Sequence, residues 1–238
     1  MNTLFLDFDG VLFDTLKEAY LLCRYVFYKI DVRLPIEPDK YARFYKFKYL
    51  VNNSWQYYYL MKCLSKDLSD NKLIKEYNNY LLDRDLVSEK IFDKDYYAIR
   101  ETLKTTMQDF WISLEEPFEF FFNVKTLFEK RKFDVVIVSR KDFSSIKFRL
   151  NQYGLKINDN NIYGKEQLES YSTKGQFLKE YINNNSIGRA IFVDDNSKNL
   201  LSCQNIVNLK CFLAGWGNIG ILEKGLSSSE IINEIKLL

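Results

Sequence analysis

The sequence predicts an α/β fold: a parallel β-sheet covered by helices, with an all-helical domain inserted after the first strand. Two segments, "DVVIVS" and "AIFVDD", are continuous apolar runs, which are typical of parallel strands buried on both faces. Helical patterns separate these segments from two other strand-like stretches, and such alternation indicates a parallel sheet. Between residues 14 and 111 the spacing is helical and no clear strand is found, as in "NSWQYYYLMKCL".

Four strands are predicted for the sheet, at residues 3–6, 135–138, 190–193 and 210–213. The helix in "FSSIKFRLNQYGL" should end near Gly154, because glycine is common just past a helix end. A second helix, in "TKGQFLKEYINN", has one apolar face, formed by Phe177, Leu178, Tyr181 and Ile182. The last helix begins with "SSSE", in which Ser227 and Glu230 fit a capping box.

The change of pattern along the chain predicts two domains. We expect residues 1–14 and 112–238 to form the α/β domain and residues 15–111 to form the helical one. A chain of 238 residues that is 47% hydrophobic can bury one sizeable core and a smaller second one. Within the helical domain, we expect Trp55, Tyr58, Tyr59 and Met61 to belong to its core, with a substrate-facing aromatic floor as the less favoured alternative.

Composition excludes several classes of function. A net charge of +2 argues against a dedicated nucleic-acid-binding protein. No apolar run approaches the roughly 20 residues needed to span a bilayer, and the first residues do not resemble a secretory signal. The chain contains no histidine, so Ser–His and Cys–His nucleophile pairs and histidine-ligated zinc sites are excluded. The four cysteines show no CxxC spacing, which favours reduced thiols in a cytoplasmic protein.

Polar residues collect where the predicted strands end. They are Asp7 and Asp9 after the first strand, Ser139 and Arg140 after the second, Asp194 and Asp195 after the third, and Lys174 in an intervening helix. Because ligands bind outside the carboxyl ends of parallel strands, these groups are expected to line one pocket. Four carboxylates, a hydroxyl and an ammonium group suit phosphoryl transfer through an aspartyl phosphate. A carboxylate nucleophile needs a cation beside it, and Mg²⁺ prefers such oxygen ligands.

The same residues resemble the motifs of the haloacid dehalogenase-like hydrolase superfamily. "DFDGVLFDT" is similar to its first motif, DxDGxxxDT, and Ser139 falls at its second motif. Lys174 in "STKGQFLK" resembles the third-motif lysine, and "IFVDDNSKN" resembles the acidic fourth motif. The order and spacing of all four match. The resemblance therefore implies a Rossmann-like core with an inserted helical cap.

The resemblance also implies a role for each matching residue. Asp7 would be the nucleophile and a metal ligand, and Asp9 the general acid and base whose main-chain carbonyl also binds the metal. Asp195 would bind Mg²⁺ directly, with Asp194 assisting, and Ser139 and Lys174 would bind the transferring phosphoryl group. Arg140 could reach a substrate anion or form a surface ion pair. Asp14 and Thr15 are expected to be structural, and Asn199 is a candidate for indirect support of the metal site.

Within this superfamily, an acid at the position of Asp9 favours phosphatases and phosphomutases over dehalogenases, because a leaving alkoxide needs a proton and a halide does not. The expected function is a Mg²⁺-dependent phosphatase acting on a small phosphorylated metabolite such as a sugar phosphate. The resemblance implies that the cap closes over a small substrate. From the net charge and the absence of a long apolar run we expect no nucleic-acid or membrane partner, and we expect a monomer or a homodimer.

Two other functions remain open from the sequence. A phosphomutase resembling β-phosphoglucomutase would carry a histidine after the first motif, and this chain has none. A non-catalytic regulator that binds a phosphorylated ligand should have lost some catalytic groups, whereas all of them are present here. In isolation, Asp7 and Asp9 could also serve only as turn residues, and Asp194 and Asp195 only as helix caps.

Overall fold

The structure is a computed structural model that describes residues 2–130, 133–220 and 222–238. The chain divides into two compact units. An α/β unit is formed by the chain up to Asp14 together with Glu116–Leu238, and a helical unit is formed by Thr15–Glu115.

Five parallel strands form the central sheet of the α/β unit. The strands of this unit, two of which (β2 and β3) lie outside the central sheet, are in chain order β1 (Asn2–Leu6), β2 (Phe13–Asp14), β3 (Glu116–Pro117), β4 (Asp134–Val138), β5 (Ile162–Tyr163), β6 (Arg189–Asp194) and β7 (Leu209–Leu213). The order across the sheet is β5-β4-β1-β6-β7, and all neighbouring pairs are parallel. Strands β2 and β3 pair separately, in antiparallel fashion. The strand order reverses at β1, so the carboxyl ends of β4 and β6 flank that of β1, where α/β sheets bind ligands.

The helical unit accounts for the long segment of helical spacing. Its helices are α1 (Leu16–Tyr28), α2 (Pro38–Phe47), α3 (Tyr57–Leu64), α4 (Asp70–Leu82), α5 (Leu86–Thr106) and α6 (Gln108–Ile112), with 3-10 turns at Lys48–Leu50 and Ser54–Gln56. A buried ion pair joins Arg100 to Glu18, with Nε 2.8 Å from Oε1. The indole nitrogen of Trp111 donates to the same oxygen at 2.8 Å. A buried charge cluster therefore links α1, α5 and α6.

Helices cover both faces of the parallel sheet. They are α7 (Glu119–Glu129), α8 (Phe143–Gln152), α9 (Lys165–Leu168), α10 (Lys174–Asn184), α11 (Ser197–Leu201) and α12 (Ser228–Ile235). Leu4 and Leu6 of β1 pack into one core with residues of α7, α8 and α12. Phe5 points to the opposite face and packs with residues of α10. Because alternate residues of a strand face opposite sides, a strand covered on both sides is apolar throughout.

The predicted fold class is confirmed, and the four predicted strands are each found within one residue of their expected limits. The capping box of Ser227 and Glu230 is present, and Gly154 adopts a φ of 72° after the end of α8. The short strands β2, β3 and β5 were not predicted, because two residues carry too little periodicity to detect. Thr15 lies at the N-cap of α1, but its side chain accepts no capping hydrogen bond.

Of the aromatic residues expected in the helical core, Tyr59 is buried, as is Met61, whereas Trp55 and Tyr58 are half-buried. Cys203 is buried and Cys211 is half-buried. Among the described residues, no helix combines the length and apolar character that a membrane span requires.

Candidate active site

Three strands deliver the chemistry-bearing residues to one edge of the sheet. Asp7 directly follows β1, and its main-chain N–H donates to the carbonyl of Val193 in β6 at 3.0 Å. Ser139 directly follows β4, and its N–H donates to the carbonyl of Tyr163 at 3.0 Å. Asp194 is the last residue of β6. The hydrogen bonds of the sheet therefore continue up to the candidate residues and fix their main chain.

A tight turn follows Asp7 and is made possible by glycine. The N–H groups of Leu12 and Phe13 both donate to the carbonyl of Phe8 at 3.0 Å. Gly10 adopts a φ of 78°, in the left-handed region that residues with a Cβ rarely occupy. The turn brings this glycine against the carboxylate of Asp195.

Three carboxylates converge beside this turn. Asp7, Asp194 and Asp195 are all buried, and one oxygen from each lies within 4.8 Å of the others. The Nζ atom of Lys174 lies 2.8 Å from Oδ2 of Asp7 and 2.8 Å from Oδ2 of Asp194. Lys174 is the first residue of α10 and is itself buried, so its charge is directed at the two carboxylates. One ammonium group thus offsets only part of the negative charge gathered here.

Burial shifts the proton affinities of this cluster. Burial raises the pKa of Asp7 from 3.8 to about 6, although the nearby Lys174 opposes the change. Burial also raises the pKa of Asp194, again against the effect of Lys174. For Lys174, burial lowers the pKa, but the two carboxylates raise it by more, so the ammonium form is favoured. The cluster therefore favours an added positive charge, whether a proton or a cation.

Asparagine side chains orient two of the carboxylates. The Nδ2 atom of Asn199 lies 3.1 Å from Oδ1 and 3.0 Å from Oδ2 of Asp194. The main-chain N–H of Asn196 also donates to Oδ1 of Asp194 at 2.8 Å. Asn218 donates to Oδ2 of Asp195 through its main-chain N–H at 2.8 Å and its side chain at 3.1 Å. Both oxygens of Asp194 therefore already accept hydrogen bonds from protein groups.

Asp9 and Ser139 lie on neighbouring segments of the same edge. The carboxylate of Asp9 is one third exposed, and its Oδ1 atom lies 3.4 Å from Nζ of the buried Lys141. Ser139 is buried and precedes this lysine by two residues. The structure thus adds a second ammonium group to the site, beside Asp9 instead of Asp7.

Arg140 is directed to the main chain of the loop after α9. Its two terminal nitrogens donate to the carbonyls of Leu168 at 3.0 Å and Tyr171 at 3.2 Å. In this structure Arg140 holds that loop, and its contact with a substrate anion stays a prediction. Asp14 forms part of the short strand β2.

The sequence carries no signal for Lys141 or Asn218 as residues of the site. Lys141 follows Ser139 and Arg140, but its burial depends on the loop after β4, for which no periodic signal exists. Asn218 lies in "GWGN", far along the chain from the first motif, and only the folded sheet brings it to Asp195. Asn199 was a candidate for indirect support, and its two hydrogen bonds to Asp194 fit that role.

The carboxylate cluster fits a hard divalent cation. Its available donors are oxygens, the three carboxylates are close enough to share one ion, and the cluster carries more negative charge than Lys174 offsets. Magnesium and calcium ions prefer such oxygen ligands, whereas zinc usually takes histidine or cysteine. The residues present are therefore compatible with Mg²⁺.

Solved structures share this architecture. A predicted phosphatase from Clostridium acetobutylicum superposes with a TM-score of 0.65 at 16% identity, covering 100% of this chain and 99% of that one. A haloacid dehalogenase-like family hydrolase from Streptococcus pneumoniae superposes with a TM-score of 0.58 at 14% identity, covering 98% of this chain and 97% of that one. A predicted phosphoglycolate phosphatase from Haemophilus somnus superposes with a TM-score of 0.58 at 12% identity, covering 90% of this chain and 85% of that one.

No protein-family model matches the chain, and no curated protein matches it. The likeness to solved structures extends over both units. Because the sequence identity is low, the likeness establishes the fold alone. The four motifs and these superpositions agree on that fold, and the chain has the architecture of the haloacid dehalogenase-like hydrolases.

Proposed function

We propose that this protein is a Mg²⁺-dependent phosphatase that hydrolyses a small phosphate monoester, such as a sugar phosphate or a similar alcohol phosphate. The observation that carries the proposal is the position of Asp7. Its carboxylate lies at the carboxyl edge of the sheet, 2.8 Å from Lys174 and within a group of three buried carboxylates. A carboxylate held beside positive charge is suited to attack phosphorus, because the charge offsets its repulsion from the phosphate.

In this proposal Mg²⁺ would be held by the carboxylates of Asp7 and Asp195 and by the main-chain carbonyl of Asp9. Asp194 would support the site without being a direct ligand, since its two oxygens already accept hydrogen bonds from Lys174, Asn196 and Asn199. A bound Mg²⁺ supplies positive charge that reduces repulsion between the substrate phosphate and the attacking carboxylate.

The reaction has two chemical steps. In the first, a carboxylate oxygen of Asp7 forms a bond to phosphorus, the bond from phosphorus to the ester oxygen breaks, and Asp9 gives its proton to that oxygen. In the second, Asp9 takes a proton from a water molecule whose oxygen forms a bond to phosphorus. The bond from phosphorus to the Asp7 oxygen breaks, which releases inorganic phosphate and restores the Asp7 carboxylate. Ser139 and Lys174 hold the phosphoryl oxygens in both steps.

Two further observations support the proposed substrate class and a location in the cytoplasm. The names of the structural neighbours include a predicted phosphatase and a predicted phosphoglycolate phosphatase, which supports a small phosphorylated metabolite as the substrate here. All four cysteines are free thiols, which supports a cytoplasmic protein.

The proposal is tested by phosphate release from a panel of phosphorylated sugars, polyol phosphates, amino-alcohol phosphates and nucleotides, with and without Mg²⁺. Activity should require Mg²⁺ and should be lost in Asp7→Asn. Borohydride reduction of protein quenched during turnover should modify Asp7, because an acyl phosphate is reduced and a free carboxylate is not. Mass spectrometry of the peptide that contains Asp7 detects this change.

Asp159→Asn is the matched control, because Asp159 is an exposed aspartate of the same unit whose ion pair with Lys147 is also exposed. This variant should retain full activity. Absence of phosphate release from the whole panel in the presence of Mg²⁺ would contradict the proposal. A rearranged phosphate ester in place of free phosphate would indicate a phosphomutase.

A further inference from the structure

Lys141 carries a positive charge inside the α/β unit and has no role in the reaction proposed above. Its side chain is fully buried, although it lies only two residues after Ser139 at the end of β4. Burial of an ammonium group is unfavourable unless a negative partner compensates. Oδ1 of Asp9 provides that compensation at 3.4 Å from Nζ.

The two oxygens of Asp9 have different surroundings. Oδ1 is buried and, within the described residues, accepts no conventional hydrogen bond. The Asp9 side chain as a whole is nevertheless 33% exposed, so the exposed surface belongs to its atoms other than Oδ1. Oδ1 is therefore directed inward to Lys141, and this leaves Oδ2 as the oxygen that can meet an incoming substrate.

The main chain around Lys141 is also held in place. Its carbonyl accepts a hydrogen bond from the N–H of Lys165 at 2.9 Å. A Cβ on Gly164 would lie 3.0 Å from that carbonyl oxygen, so the two segments are in close contact. The ammonium group lies 5.7 Å from the ring centre of Phe8, a residue of the turn that carries Asp9. Lys141 is thus anchored at both its main chain and its side chain.

We propose that Lys141 is a positioning residue for Asp9: it holds Oδ1 inward so that Oδ2 faces the oxygen of the leaving group. This inference rests on the proposed phosphatase function. It assigns to Lys141 no contact with the phosphoryl group, which Lys174 and Ser139 hold. Proton transfer depends steeply on the distance and orientation of the acid, so a carboxyl group that turns freely is a weaker acid catalyst.

The choice of substrate separates positioning of the acid from other effects. Phenoxide is a poor leaving group and depends on proton donation, whereas p-nitrophenoxide leaves readily without it. Phenyl phosphate and p-nitrophenyl phosphate differ little in size and have the same phosphoryl group. A defect in Asp9 as the acid should therefore slow formation of the aspartyl phosphate, the step that kcat/KM reports, far more with phenyl phosphate than with p-nitrophenyl phosphate. The later attack of water is the same for both substrates and does not enter kcat/KM.

Lys141→Met keeps the length of the side chain and removes its charge. With phenyl phosphate, kcat/KM should fall roughly 10- to 100-fold, and with p-nitrophenyl phosphate less than about 3-fold. Lys141→Arg should recover part of the lost activity, since it restores the cation. Asp9→Asn should show the same leaving-group dependence, more strongly.

Lys147→Met is the control, because Lys147 is an exposed lysine of α8 and should behave as the wild type. An equal loss of kcat/KM on both substrates in Lys141→Met, or no loss of kcat/KM, would overturn the inference. Inactivity of the wild-type protein on both substrates would instead count against the proposed function. Crystal structures of the wild type and Lys141→Met then decide the inference: an Asp9 side chain in the same orientation in both contradicts it.

Discussion

Gly10 and Asp195 are in direct contact although 184 positions separate them along the chain. A Cβ on Gly10 would lie 1.9 Å from Oδ2 of Asp195, far closer than a carbon and an oxygen that are not bonded can approach. A Cβ on Gly217 would lie 2.4 Å from Cβ of Asp195. Two glycines therefore leave the space that the Asp195 carboxylate occupies, and the position of this proposed metal ligand depends on their lack of side chains.

Gly10→Ala should weaken both the fold and the metal site. The positive φ of 78° alone should lower the free energy of unfolding by about 1–2 kcal/mol, and the clash should move Asp195 away from Asp7. Urea denaturation measures the first effect, and calorimetric titration with Mg²⁺ measures the second. Gly188→Ala is the control: apart from its two chain neighbours, no atom of the described residues lies within 4 Å of the added methyl group, and the φ of Gly188 is not positive. Unchanged Mg²⁺ affinity in Gly10→Ala would contradict the link to Asp195.

Asn199→Ala should reduce Mg²⁺ affinity without removing any proposed ligand. The variant loses the hydrogen bonds from Nδ2 to both oxygens of Asp194, which is buried and charged. Hydrogen bonds to charged groups contribute about 1.5–3 kcal/mol, and loss of such outer partners weakens metal binding roughly 10- to 100-fold. Thermal unfolding and Mg²⁺ titration test these values. Asn183→Ala, on the exposed side of α10, should match the wild type in both measurements.

Sequence reasoning predicts the parts of this molecule that depend on local pattern. The buried strands are apolar because both faces are covered, and Asp7 and Asp194 stand where those runs end. Contacts between distant segments carry no such signal. The pairing of Lys141 with Asp9 depends on how the loop after β4 turns, and the contact of Asn218 with Asp195 depends on the loop after β7.

The pH dependence of Mg²⁺ binding should follow the Asp7 carboxyl group. Its pKa in the metal-free folded protein is about 6, above the ordinary 3.8, so this group holds its proton through pH 5 and releases it by pH 7. Because Mg²⁺ must displace that proton, the apparent affinity should fall about tenfold per pH unit below 6 and level off above 7. Titrations from pH 5 to 8 measure this slope, which should be smaller in Asp7→Asn. Equal affinity at pH 5 and 7.5 would contradict the assignment.

The buried ion pair of the helical unit should contribute strongly to its stability. Arg100→Met leaves Glu18 charged, fully buried and without its bidentate partner, which should lower the free energy of unfolding by about 3–5 kcal/mol. Replacing Glu18 by Met as well should recover much of this loss, because no uncompensated charge remains. Urea denaturation of the single and double variants gives the comparison.

An exposed ion pair provides the reference for that experiment. Lys46→Met removes the pair with Asp70, whose side chains are 45% and 49% exposed, and should change stability by less than about 1 kcal/mol. Equal losses from Lys46→Met and Arg100→Met would show that burial does not set the strength of these interactions.

Lys174→Met should separate metal binding from phosphoryl transfer. Nζ bridges Asp7 and Asp194 at 2.8 Å each, so its removal leaves buried carboxylates without compensation and destabilises the metal-free protein by about 3–5 kcal/mol. The same loss of positive charge favours binding of a cation. Mg²⁺ should therefore raise the melting temperature of Lys174→Met by more than that of the wild type.

Activity should nevertheless be lost in Lys174→Met even at saturating Mg²⁺, because a contact to the phosphoryl oxygens is missing. Lys179→Met, an exposed lysine of the same helix, should keep wild-type activity and wild-type response to Mg²⁺. If Lys174→Met binds Mg²⁺ more weakly than the wild type, the lysine serves chiefly to place the carboxylates. Tighter Mg²⁺ binding without turnover shows that the carboxylates hold the cation by themselves and that the lysine acts on the phosphate.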